Sequence, residues 1–155
     1  MKATAAPVAP APPRVGCAGW SLPRADQEAF GAGDSLLQRY ATRLPMVEIN
    51  SSFYRPHQRR TYARWAASVP EGFRFVVKLP REISHERRLR DAMQPLEQFL
   101  EGVLALGGKL GPLLLQLPPS LVYDTATAET FLRGLRARTQ TELACEPAPP
   151  ELVQY

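Results

Sequence analysis

Glu48, Lys78 and Glu146 each stand near the end of an apolar run, and His85 follows shortly after Lys78. Two carboxylates, a primary amine and an imidazole are the side chains of general acid–base and electrostatic catalysis. Glu48 and Glu146 could work as paired carboxylates, or one could form a buried ion pair with Lys78. Lys78 could hold an anionic substrate, or act as a base if its pKa is lowered. His85, beside Glu86 and Arg87, reads either as a general acid or phosphate contact or as a solvated loop histidine. His57 reads as an ordinary surface or core group. One candidate histidine does not make a His-rich metal site, so no metal ligand is assigned.

A second set of residues would bind rather than react. Asn50 and Gln116 are amides suited to orienting a ligand, and Tyr54 continues the polar run Asn50-Ser51-Ser52 into a loop. Arg87 and Arg88, with Arg81 and Arg90, could grip phosphate. Glu82, Glu86 and Asp91 lie among them and could neutralise the cluster. Trp20 reads as a stacking platform or as a core residue. Ser21, Ser51 and Ser52 have no Ser-His-Asp pattern in the sequence, so no serine nucleophile is assigned. The residues specify no cofactor.

The elements that must carry these groups follow from periodicity. In Met46 to Asn50, alternation puts Val47 and Ile49 on one face and Glu48 and Asn50 on the other. Val15 to Gly19, Phe73 to Lys78, Leu113 to Leu117 and Leu143 to Glu146 read as the other strands. Helical stripes fall over 35–44, 58–69, 95–106 and 125–135, with Ser35 or Asp34 and Asp124 as caps, and Pro95 at the first position of the third helix. A long charged loop is expected from Arg81 to about Gln94. Strand starts recur roughly every 30 residues, the βα spacing of a parallel sheet.

Two α/β architectures fit that order: an open doubly wound sheet or part of a (βα)8 barrel. Neither GxxxxGK[ST] nor GxGxxG is present. The pairs Glu48/Asn50, Val76/Lys78, Leu114/Gln116 and Ala144/Glu146 each end their strand with a polar group on one face. That is how a (βα)8 barrel builds a site at its C-terminal rim. An open sheet covered on both faces would bury those groups against helices. The fold expected is therefore a partial (βα)8 TIM-barrel-like fold, with about five parallel strands and four helices.

The 155 residues suffice for one domain, and 45% are hydrophobic. No run nears the roughly 18 apolar residues that span a bilayer, so no membrane partner is expected. The net charge of +4 and a pI near 9.4 permit a polyanionic ligand without demanding one. Cys17 and Cys145 each lie in an apolar strand and read as buried free thiols, which fits a reducing, cytoplasmic setting. Residues 1–13 are Ala/Pro-rich, lack the apolar core of a signal peptide and read as disordered.

Several motifs resemble one family in order. Val15-Gly16-Cys17-Ala18-Gly19-Trp20-Ser21 resembles its opening G-x-x-G-W-S strand, and Val47 to Arg55 resembles its V-E-I-N-S/T-x-F-Y-R run. Gly72 to Lys78, His85 to Leu89 and the L-G-P-x-L-x-Q-L-P-P stretch from Leu110 to Pro119 complete the likeness. The family is the DUF72 (YecE-like) group of TIM-barrel-like proteins. The resemblance spans roughly residues 14–147 and implies a barrel fold with a site at the C-terminal strand ends. It implies no activity, because none is established for the family. A complete barrel takes about 250 residues. After its fifth-strand glutamate the family continues with Arg-His and then Ser-Trp, whereas here Pro147-Ala148-Pro149-Pro150 follows. Residues 14–147 thus read as an incomplete barrel. Residues 148–155 read as an irregular tail, as a truncation or shifted reading frame would leave.

Three functional readings stand at this level. One is a site for a small anionic or phosphorylated substrate, with Glu48, Lys78 and Glu146 active and His85 and Arg87 assisting. Another is a nucleic-acid or phosphodiester-binding module that uses Lys78, Arg87, Arg88 and Trp20. The third is an inactive fragment that self-associates through open sheet edges.

Overall fold

Five short runs of β-branched, aromatic and leucine residues separated by helical stripes leave one economical packing, a single parallel sheet with helices against it. A computed structural model describes residues 13–147 of the chain. The strands are β1 (Gly16–Ala18), β2 (Met46–Ile49), β3 (Arg74–Lys78), β4 (Leu110–Gln116) and β5 (Leu143–Glu146). The helices are α1 (Leu36–Ala41), α2 (Arg59–Ala67), α3 (Met93–Val103) and α4 (Thr125–Arg136). All four strand pairings are parallel, and the order is β1-β2-β3-β4-β5. Sequential order decides between the two architectures, because a flavodoxin-like doubly wound sheet runs 2-1-3-4-5. The fold is the TIM-barrel-like α/β arrangement.

One face of the sheet carries the core. Val47, Ile49, Phe75, Val77, Leu113 and Leu115 are buried, and Tyr40, Tyr62, Leu96, Phe99, Phe131 and Leu135 pack with them from the helices. The alternate residues Glu48, Val76, Lys78, Leu114 and Gln116 are half-buried on the other face. Two contacts hold β1 against β2. A Cβ on Gly16 would collide with the Met46 carbonyl oxygen, so only glycine fits there. The buried Tyr40 hydroxyl accepts a hydrogen bond from the Cys17 amide (2.8 Å) and donates one to the Met46 carbonyl (2.9 Å).

Several local expectations are corrected. Cys17 and Cys145 are exposed, since β1 and β5 are the outer strands and each lacks a neighbour on one side among the described residues. The buried-thiol reading therefore fails, and with it that support for a reducing compartment. β4 begins at Leu110 rather than Leu113: Phe75 pairs with Leu110 but Val77 with Leu113, so Gly111 and Pro112 fall in a bulge. Proline has no N–H for the ladder, and a bulge is where a strand tolerates it. α3 starts at Met93, which puts Pro95 third, still in the first turn where its missing N–H costs nothing. The expected loop after Arg81 instead opens with a π-helical turn, Glu82–Glu86. Leu132, within the helical stripe expected over 125–135, is exposed. Asp124 does cap α4, accepting from the Thr127 amide. Among the described residues no helix is long and apolar enough to cross a membrane. The readings of residues 1–12 as disordered and of 148–155 as an irregular tail lie outside the described residues.

Candidate functional site

At the C-terminal end of β2 the chain turns at once into a 3-10 turn, Ser51–Phe53, with Asn50 as its first flanking residue. Ser52 is fully buried, and its hydroxyl lies 2.8 Å from the Ile49 carbonyl and 2.6 Å from the Lys78 carbonyl. A hydroxyl has one proton, so these two carbonyls share it. The effect is to tie the end of β2 to the end of β3, where Lys78 sits. The turn also places the Phe53 ring over that strand end. The Lys78 Nζ stands 4.7 Å from the Phe53 ring centroid, a cation–π contact. No carboxylate pairs with Lys78 among the described residues, so the buried ion pair considered for it does not form.

The π-helical turn brings His85 to the same ring. The His85 and Phe53 centroids are 5.0 Å apart, edge to face, and Tyr54 meets Phe53 likewise at 5.1 Å. π-Helical turns are rare and concentrate at functional sites. Ser84, buried beside it, hydrogen-bonds the His85 Nδ1 at 2.8 Å, which fixes the ring and leaves Nε2 without a partner among the described residues. Burial lowers the His85 pKa, and the charges of Arg81 and Lys78 lower it further. At neutral pH the ring is therefore uncharged and available as a proton acceptor.

The remaining candidates are dispersed. Glu48 lies diagonally across from Lys78 on the same face, since its direct partner is Val76. It lines a shallow depression of about 330 Å³ with Arg14, Cys17 and Met46, which reaches neither Lys78 nor His85. Glu146 of β5 pairs in register with Gln116 of β4, three strands across from Glu48 and about four residues further along the strands. The two carboxylates are thus not brought together. Trp20 lies edge-on to Trp65 of α2 at 5.0 Å and packs against the core, as the second of its two readings had it. The arginine cluster is largely tied down. Arg87 pairs with Glu82 at 2.9 Å, Arg81 with Glu86 at 3.1 Å and Arg90 with Asp124 at 3.6 Å. Arg88 donates to the Ser120 carbonyl and hydroxyl, both at 3.1 Å. Its backbone is left-handed (φ 52°), as are those of Leu89 and Asp91. Three such non-glycine residues within four positions mark a strained segment.

The family model for the protein of unknown function DUF72 matches residues 14–150. The chain belongs to the DUF72 family. The Escherichia coli K12 relative, UPF0759 protein YecE, is 31% identical over 104 residues, covering 67% of this chain and 37% of YecE. UPF0759 protein YunF of Bacillus subtilis is 26% identical over 111 residues, 68% of this chain and 39% of YunF. A DUF72 protein of Enterococcus faecalis V583 has a TM-score of 0.68 at 26% identity over 85% of this chain and 49% of its own. One from Thermotoga maritima MSB8 has a TM-score of 0.63 at 24% identity over 86% of this chain and 55% of its own. This DUF72 chain thus spans less than two fifths of the curated relatives it matches, and about half of the solved structures.

Reading the DUF72 chain by residue type missed Phe53, Ser52 and Ser84. Phe53 is apolar, and its ring is the surface on which Lys78, His85 and Tyr54 meet. Ser52 and Ser84 were weighed as nucleophiles or passed over, whereas they position the strand end and the imidazole. The available signal was adjacency: Ser52-Phe53 follows a strand end directly, and Ser84 precedes the loop histidine. A hydrogen bond between Ser51 and the His57 Nε2 (2.7 Å) also escaped the reading.

Proposed function

We propose that the C-terminal rim of β2 and β3 binds a small anionic or phosphorylated ligand. Lys78 anchors the anion and His85 accepts or donates a proton through Nε2. The observation that carries this reading is the arrangement on Phe53: a lysine without a carboxylate partner next to a histidine whose other nitrogen is already held. An ammonium anchored by a cation–π contact keeps its charge free for an incoming anion. Gln116, one register step beyond Lys78 on the same face, and Asn50 at the strand end would orient the rest of the ligand in this reading, while Glu48, in a depression that does not reach Lys78, takes no first role. Glu146, across the sheet, and Arg87 and Arg88, engaged in the loop, take no first role. A polyanion grip would need free guanidinium groups in a row, and the ion pairs of Arg81, Arg87 and Arg90 speak for the small ligand instead. The reading is one of binding. Turnover by a full-length relative, with groups from the rest of its chain, would be a separate proposal.

The test is titration with inorganic phosphate, followed by NMR of the His85 ring and by calorimetry. Lys78→Met is expected to weaken binding on the order of tenfold or more, as loss of one charge-assisted contact implies. Unchanged affinity in Lys78→Met would sink the proposal. A steep fall of affinity with salt would return the phosphodiester reading to the front.

A further inference from the structure

Resting on the anion site just described, we propose that its ligand is an anion joined to a planar ring, and that Tyr54 is the residue that selects the ring. Tyr54 is 70% exposed, yet it is not a loose surface side chain. Its ring is braced edge to face on Phe53, the same ring that carries Lys78 and His85. Its hydroxyl makes no hydrogen bond among the described residues, and no other aromatic ring among them covers its faces. A T-shaped contact occupies one side of the Tyr54 ring and, at this exposure, leaves a π-face open to a second ring; stacked or offset rings attract beyond the area they bury. The backbone reinforces the placement. Tyr54 ends the Ser51–Phe53 turn, its amide donating to the Ser51 carbonyl at 3.3 Å, and the buried Ser52 fastens that turn to β3. Anion anchor and ring platform therefore belong to one braced unit, the Lys78 Nζ at 4.7 Å and the Tyr54 ring at 5.1 Å from the same Phe53 centroid. A ligand that presents its charge to Lys78 and carries a planar ring within a few bonds of that charge would offer the ring to Tyr54. An aryl phosphate carries its ring on the ester oxygen, and a nucleoside monophosphate carries its base across a ribose; both join one anion to one planar ring.

The experiment compares phenyl phosphate with methyl phosphate, equal in charge and differing in the ring, on the full chain by NMR and calorimetry. The wild-type protein is expected to bind phenyl phosphate on the order of tenfold more tightly, as one stacked ring supplies. Tyr54→Ala should erase that preference and bring the two esters to equal affinity. Tyr54→Phe should keep it. Circular dichroism of each variant confirms that the fold is retained. Equal affinities in the wild type, or a preference that survives in Tyr54→Ala, overturns the proposal. Lys78→Met separates the two readings. If it weakens both esters alike, the anchor stands whatever Tyr54 does. If the ring preference depends on Tyr54 while Lys78→Met changes nothing, the ring site stands and the anchor falls. Failure of both esters to bind overturns both readings. Replacing phenyl phosphate by adenosine monophosphate then distinguishes the nucleotide from the simple aryl source.

Discussion

At the scale of single residues, His85 reports on its neighbours through its proton. Burial is the first cause of its lowered pKa, then Arg81, then Lys78. Removing the Lys78 charge therefore raises the His85 titration midpoint while leaving it below the ordinary 6.5, which NMR of the ring in Lys78→Met reads directly. An unmoved midpoint would mean that the two groups do not share a site. The same shift acts on stability. The folded state holds the ring neutral below the pH at which the unfolded chain takes up a proton. Stability is thus full above about pH 6.5 and declines as the pH falls from there towards the lowered folded value. His57 is also lowered, by burial and then Arg55, and adds in the same direction. The urea midpoint should be lower at pH 5.5 than at 7.5, and His85→Asn should flatten part of that difference.

At the scale of elements, the β2–β3 rim depends on a residue with no chemistry of its own. Ser52 is buried, and its one proton serves the carbonyls that end two strands. Ser52→Ala leaves those acceptors unsatisfied and is expected to cost about 1–3 kcal/mol, measured by urea unfolding. It should also loosen Lys78 and weaken phosphate binding; a variant with wild-type stability and binding would show that the tie is idle. Similar ties run elsewhere. Lys109 Nζ donates to the Ala66 and Val69 carbonyls at 2.8 and 2.7 Å, closing the end of α2. Arg88 and Arg90 fasten the segment after His85 to the loop that precedes α4. Basic residues that suggest an anion site by their density are here partly the fittings of helix ends and loops.

At the scale of the molecule, the sheet has a covered face and an uncovered one among the described residues. β1 and β5 each have one strand neighbour. Both outer strands are exposed, β5 from Ala144 onward. Unpaired N–H and C=O groups on an outer strand are templates for another strand. We predict concentration-dependent self-association of the 155-residue chain, read by size-exclusion chromatography with light scattering. Cys145→Pro should reduce it: Glu142 and Glu146 turn their carbonyls to β4, so by alternation the Cys145 N–H faces the open edge, and proline removes that donor. A monomer at all concentrations would count against edge pairing.

Strand positions, helix count and the facing of Glu48, Lys78 and Gln116 were legible from sequence because they are local. Period-2 alternation and βα spacing are written along the chain, and β5 over Leu143–Glu146 matches its expected bounds. The sequence also carried the DUF72 motifs, and so the family. Tertiary structure decided what depends on distance through space. It put Glu48 and Glu146 three strands apart across the sheet and about four residues apart along it, although both end apolar runs. It paired three of the loop arginines with acids and turned both thiols outward. It set Phe53, which by type belongs to a core, under Lys78, His85 and Tyr54. Residue type states what a side chain can do; which partners reach it is fixed only when strand ends from distant parts of the chain meet.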